Sequence, residues 1–447
     1  MGDQSAGVRD TAIVFISRFL TAGVGFLTQT LVAYYLEPEG RGSLAVAMQY
    51  GILLTVIFML GTDVGCLYAV ASRRLKPSEG VVVTLLYTLA GSALAIVVGI
   101  ALMHSGLDYF DKADPSSFYL VVATIPLTFF SGAVLTILTA LREFIWTAII
   151  GSCTTVLGVI SLLVYIGLLK WGVNGAILVT ITGDLFCLVA ALVFLRRRYQ
   201  LTWAWPSREG LRQILSFGVR YYFGKISNLM NFQLGTLFLA SLPQQNEAEI
   251  GHLAFALVLA GSVMMVPDAL STVLLPRVAA DAEGRVDLVV QCIRGATIAT
   301  GFALVAMCLL SWPFFKLVLP KYLPCVGLIL ILAPGIWIRA ASKIVVPYLH
   351  SRNHVGVTSI AVLAGAAANL GIMWGLLDVI GLSAAALGVV GNYVVSSVIL
   401  AIAFRQVSRL SMAETWIPRR SDAERIWRTM AGYWKRLQPA AASKKEV

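Results

Sequence analysis

Seven charged side chains interrupt stretches of the chain that are otherwise apolar: Arg18, Lys225, Arg339, Lys343, Asp63, Asp184 and Asp268. The four cations are of the types that hold phosphate, arginine as a planar fork of donors and lysine as a compact point charge. The three acids are of the type that handles protons or sodium inside membrane proteins. Each such residue costs about 2.5–3.5 kcal/mol even on the lenient insertion scale, so it marks a site unless it snorkels or pairs internally. Asn228, Asn231, Gln233 and Asn369 add uncharged polar groups to the same kind of run, and Asn392 follows. Interhelical hydrogen bonding is the plainer role for these amides.

The elements that position these groups are helices long enough to cross a bilayer. The chain has 447 residues, 58% of them hydrophobic and 13% charged. Soluble domains carry about 25% charged residues. Runs of 18 or more nearly uncharged residues recur along the whole length. The pattern predicts an all-α polytopic membrane protein with twelve spans, near 11–36, 43–71, 81–103, 118–141, 145–169, 173–195, 214–241, 249–276, 292–318, 323–349, 355–377 and 382–404. At about 1.5 Å per residue, Arg18 is about 10 Å deep and within reach of headgroups, whereas Lys225 and Arg339 are about 16 Å deep, near the midplane. Lys343 follows Arg339 by one turn, on the same face. Asp268 follows Pro267, where a helix is prone to break.

The net charge of +11 is confined to loops and one tail, which argues against nucleic acid as a partner. Arginines and lysines follow the even-numbered spans, while "LEPEGRG", "GLDYFDKADPSS" and "PQQNEAE" carry acids. The positive-inside rule then places both termini in the cytoplasm. The six cysteines form no C-x-x-C pair and read as small apolar residues, and no metal-ligand spacing appears among the four histidines. Segment 196–213 divides the chain into bundles 1–195 and 214–405, and 406–447 is a basic tail with an amphipathic helix opened by Ser421 and Glu424. The halves repeat faintly. Gly42, Leu44, Ala45 and Ala47 of "GRGSLAVA" match Gly251, Leu253, Ala254 and Ala256 of "EIGHLAFA". Six-span halves of like orientation imply parallel repeats related by a pseudo-two-fold axis, a transporter architecture.

Ser17–Arg18 in the first span, "LEPEGRGSLAVA" after it, "GTDVGCLYAVA" at 61–71 and "LRQILSFGVRYYFGKISNLMNFQLGTLFLA" at the start of the second half together resemble the polysaccharide-transporter family of the multidrug/oligosaccharidyl-lipid/polysaccharide superfamily. The resemblance covers about 8–408. It implies a V-shaped pair of six-helix bundles working by alternating access. It also implies a substrate, an isoprenoid pyrophosphate carrying an oligosaccharide unit, flipped across the bacterial inner membrane among membrane lipids, with the polysaccharide polymerase and chain-length machinery as partners. Arg18, Lys225 and Arg339 match the diphosphate-binding role by position, and Lys343, one turn from Arg339, is read as the fourth diphosphate-binding cation. Asp63, Asp184 and Asp268 are the candidates for H+ or Na+ coupling, with no other cofactor expected. Three positions depart from the family pattern: Glu37 replaces its usual glycine, Gly235 a frequent acid and Leu253 a frequent aromatic.

Rival readings follow from the same residues. A multidrug-type exporter of cations calls for an acidic cavity, which the deep cations oppose. A membrane polymerase or ligase calls for a large outer loop with catalytic groups, and the longest, "HSGLDYFDKADPSS", offers only His104. No paired carboxylates, nucleophile–base pair or glycine-rich phosphate loop is present, so no enzyme is expected. An assembly scaffold would depend on the tail.

Overall fold

The computed structural model describes residues 2–202, 204–205, 207–242, 246–265, 267–268, 286–352, 354–411 and 414–415; the side chains of 2–20, 209, 213, 217, 220–221, 223–233 and 355 are not among those described. The described residues form helices and no strands. In chain order the α-helices are α1 (Gly2–Met59), α2 (Thr62–Ala71), α3 (Pro77–Met103), α4 (Pro115–Ala140), α5 (Phe144–Leu162), α6 (Gly172–Tyr199), α7 (Arg208–Ala240), α8 (Glu247–Ser262), α9 (Val286–Val318), α10 (Cys325–Ser351), α11 (Val355–Ile380) and α12 (Leu382–Ser408). Nine helices among the described residues are long and apolar enough to cross a membrane, Thr21–Met59 counting as one of them. Of the expected span 214–241 the backbone is described as part of α7 but not the side chains of 217, 220–221 and 223–233; the expected span 249–276 falls partly outside the described residues, and the tail helix with Ser421 and Glu424 lies outside them.

Local chemistry sets the helix starts. Pro115 and Asp114 open α4: the Asp114 carboxylate accepts the Ser116 N–H at 2.8 Å, and proline at the first position lacks a donor that would be orphaned anyway. Ser207 and Asn246 cap α7 and α8 through the N–H groups of Gly210 and Glu249. Helix α1 is two legs joined at Glu37 (φ 57, ψ 178), with Pro38 starting the second leg. The second expected span, 43–71, is also not one helix. Leu60 and Gly61 both have positive φ, so the leg from Pro38 stops at Met59 and α2 starts afresh at Thr62. Gly61 is required there twice over, by its φ of 68° and by the Gly218 backbone lying against it.

The chain forms two compact units. The first comprises Met1–Ala256, Phe315–Cys325 and Leu377–Ala385, and the second Leu257–Phe314, Val326–Leu376 and Ala386–Val447. In the first, α4 packs on α3 and α6 around Val134, Ile137, Leu138 and Leu195, and α1 packs on α5 around Val32, Leu36 and Leu162. Tyr50, Tyr109, Phe110 and Phe118 close one end as edge-on and tilted rings, with the Tyr50 and Tyr109 hydroxyls donating to the Gly99 and Val46 carbonyls. In the second, Ile293 and Ala296 of α9 meet Ala341, Ile344 and Val345 of α10 and Phe404 of α12. Large apolar side chains such as Leu94, Val97, Ile160, Leu309 and Trp374 remain exposed, as lipid-facing helices require. All six cysteines are free thiols, consistent with their reading as small apolar residues.

Candidate functional site

Within the second unit, α10 and α12 run parallel and share a polar seam. Gly335 lies against Val390, Arg339 against Tyr393, and the Ser342 hydroxyl against that of Ser397 at 2.7 Å, so the residue numbers rise together. Arg339 is buried, and its guanidinium stands 4.5 Å from the centroid of the buried Tyr393 ring. An aromatic face holds a cation by its quadrupole, and more strongly where water is excluded. One turn on, Lys343 forms an ion pair with Asp268, Nζ to Oδ1 at 2.9 Å. This pair joins one expected cavity cation to one expected coupling acid. Neither side chain is fully buried, so the pair remains within reach of an aqueous ligand.

Helices α11 and α12 cross below this seam in antiparallel fashion through a reciprocal glycine–asparagine clasp. A Cβ at Gly365 would fall on the Asn392 amide, and one at Gly388 on the Asn369 amide. Asn369 and Asn392 have no exposed surface, and neither amide has a hydrogen-bond partner among the described residues. The expectation that Asn369 forms an interhelical hydrogen bond therefore gives way to close backbone approach: each amide lies across a glycine that leaves room for it.

Two of the remaining expected residues, Asp184 and Asp63, belong to the first unit. Asp184, in the first unit, accepts the Thr128 hydroxyl at 2.6 Å, joining α6 to α4. Asp63 lies in the first turn of α2, where a helix N-terminus favours a negative charge. The side chains of Arg18, Lys225, Asn228, Asn231 and Gln233 lie outside the described residues. No group of three His, Cys, Asp or Glu among the described residues could hold a metal ion.

The repeat-equivalent glycines meet in the first unit. A Cβ at Gly42 would fall on the Glu247 carbonyl and one at Gly251 on the Pro38 carbonyl, and each would stand 3.0 Å from the other glycine's nitrogen. Beside this contact the buried Arg41 donates to Gln29 at 2.6 Å and stands 5.4 Å from the Phe255 ring centroid. Lys321 reaches Glu37 at 2.6 Å. Tyr322 is buried, and its hydroxyl has no hydrogen-bond partner among the described residues; burial pushes its phenol well above the usual range, opposed by the nearby Arg41.

A family model described as "Polysaccharide biosynthesis protein" matches residues 8–280. The chain belongs to that family. Its fold is that of the multidrug/oligosaccharidyl-lipid/polysaccharide superfamily, which makes it an all-α, multi-pass membrane protein. A MATE-family multidrug resistance transporter in an inward-facing conformation superposes with a TM-score of 0.66 at 16% identity, covering 89% of this chain and 99% of its own. The lipid II flippase MurJ, in an inward closed conformation, superposes with a TM-score of 0.69 at 13% identity, covering 90% and 89%. The eukaryotic MATE transporter AtDTX14 gives 0.63 at 14%, covering 94% and 98%. Among individually curated sequences no significant match is found.

The backbone is strained at Glu37: its φ and ψ lie in a region that glycine adopts readily and other residues rarely do. Arg41 and Tyr393 are the residues that sequence reasoning missed. Arg41 was hidden inside a loop that reads as acidic. Tyr393 looks like any aromatic in an apolar run, and only its place opposite Arg339 distinguishes it.

Proposed function

We propose that the protein is a flippase for polyprenyl-pyrophosphate-linked oligosaccharide repeat units, serving surface polysaccharide synthesis in a bacterial cytoplasmic membrane, with both termini on the cytoplasmic side. The observation that carries this reading is the pair Arg339 and Lys343: two cations one turn apart, one buried on Tyr393 and one reachable, in a chain of the polysaccharide biosynthesis family. Arg339 supplies a fixed, always-charged fork for one phosphate. Lys343 supplies the second charge by exchanging Asp268 for the incoming diphosphate. Asp268, released from its partner, then takes up a proton or sodium ion, which links substrate binding to ion movement. Arg18 and Lys225 are proposed as further cations for the diphosphate, and Asp63 and Asp184 as further coupling sites. Bundles 1–195 and 214–405 alternate access about the linker 196–213, while the 38–42 and 247–251 backbones close one side. A cationic drug would be repelled by these cations, which weighs against a multidrug exporter.

Flipping of a fluorescent polyprenyl-pyrophosphate sugar in proteoliposomes tests this, comparing wild type with Arg339→Ala and Lys343→Ala. Loss of flux in folded variants is the expected result. Normal flux in both would refute the diphosphate role. A folded wild type that flips no such lipid under any ion gradient would refute the function.

A further inference from the structure

A second cation-rimmed feature lies in the first unit. Helices α5 and α6 of the first unit enclose a groove of about 440 Å³. Its walls are apolar: Trp146 and Ile149 of α5 face Phe186, Ala190 and Phe194 of α6. The Trp146 and Phe194 rings stand 4.8 Å apart, as a floor at one end. Arg197 and Arg198 form the rim at that same end, and both are exposed. Arg142 and Arg196 add to the charge there, against one carboxylate, Glu143, which already accepts the Tyr199 hydroxyl at 2.7 Å.

The groove's dimensions suit one leaflet. Phe186 lies eleven residues before Arg197, which is about 16 Å along a helix. That is about half the bilayer's hydrocarbon thickness. A ligand held by the arginines at headgroup level would therefore end its chain near the midplane. Trp146, Ile149, Phe186 and Val193 are each more than a third exposed, so the groove opens sideways to lipid. Two guanidinium groups at the mouth match a phosphate, by paired donors as well as charge. Basic pockets between transmembrane helices hold anionic headgroups on this principle.

We infer that the α5–α6 groove is a binding site for one anionic phospholipid of the inner leaflet, its phosphate on Arg197 and Arg198 and one acyl chain lying over Trp146, Phe194 and Phe186. The site is built from residues of the first unit alone and does not depend on what the protein transports. It would make the first unit sensitive to the anionic lipid content of the membrane through the α5–α6 contact.

Native mass spectrometry of the full chain released from detergent micelles tests the site, with dioleoylphosphatidylglycerol and dioleoylphosphatidylethanolamine as the probes. Wild type should retain one phosphatidylglycerol in preference to phosphatidylethanolamine. Arg197→Gln with Arg198→Gln should weaken that retention about thirtyfold, from two charges near an anionic headgroup. Ala190→Trp, which fills the groove and keeps both arginines, should also weaken it, whereas Arg208→Gln with Arg212→Gln should not. Equal retention of the two lipids, or an unchanged arginine double variant with confirmed fold, would overturn the inference. So would displacement of phosphatidylglycerol, one for one, by undecaprenyl diphosphate, since the groove would then hold the substrate's tail.

Discussion

Replacing Gly42 by alanine tests whether the glycine contact in the first unit is a closed gate. The added Cβ would stand 2.6 Å from the Glu247 carbonyl carbon and 3.0 Å from Gly251 N, where ordinary contact begins near 3.4 Å. Both obstacles are backbone, so no side chain can move aside. The Glu247 carbonyl oxygen is closer still, so relief requires the 38–42 and 247–251 segments to separate by more than about 1 Å, which forfeits about half or more of the dispersion at the contact. Overpacking of this kind costs about 1–3 kcal/mol. If the contact exists only in one of two alternating states, that cost shifts their ratio by about 5- to 150-fold rather than unfolding the protein. Spin labels at positions 37 and 321, whose native side chains are paired and exposed, report the separation in a cysteine-free background. The short-distance population should fall in Gly42→Ala and in Gly251→Ala. The double variant should add less than the sum, because the two share one contact. Unchanged distances and unchanged flux in a folded Gly42→Ala protein would refute the gate.

Glu37→Gly should raise the melting temperature slightly: about 1–3 kcal/mol of backbone strain is relieved, against about 0.5–1 kcal/mol of glycine entropy and at most about 1 kcal/mol for the exposed Lys321 pair. In the second unit, Lys343→Ala should abolish flux, and the combination with Asp268→Ala should destabilise less than the sum of the two single variants, as a thermal double-mutant cycle would register. Gly388→Ala should cost about 1–3 kcal/mol of thermal stability, since its Cβ would stand 3.0 Å from the Asn369 carbonyl as well as crowding the amide. The cap at Asp114 sets a pH dependence. Hydrogen bonds from Ser116 hold its carboxyl below the usual carboxylate range, so its stabilising effect is full above the unfolded value of about 3.9 and is lost as pH falls through the lower folded value. Melting curves across that acid window should lose part of their slope in Asp114→Ala.

The sequence by itself determined the class of the protein, because apolar runs of bilayer length are a one-dimensional property. It also offered a faint repeat, in which Gly42 and Gly251 are equivalents; that their backbones meet is a finding of the structure. The starts at Pro38 and at Asp114–Pro115 rest on local chemistry that needs no partner, although the expected spans began a few residues later, near 43 and 118. The deep charges were legible as costly, since burial of a cation in an apolar run is visible without coordinates. What satisfies each charge was not. Whether Lys343 faces a ligand or Asp268 depends on helices about 75 residues apart in sequence, and no local pattern encodes that pairing. The same is true of Arg339 on Tyr393, of Arg41 between Gln29 and Phe255, and of the two asparagines that lie over glycines. The break at Leu60–Gly61 was hidden for a related reason. The flanking residues are good membrane-helix formers, and the left-handed turn depends on the Gly218 backbone packed against it. Tertiary structure decided these points because side-chain partners and close backbone approaches are set by which helix faces meet, and a helix's composition does not specify its neighbour.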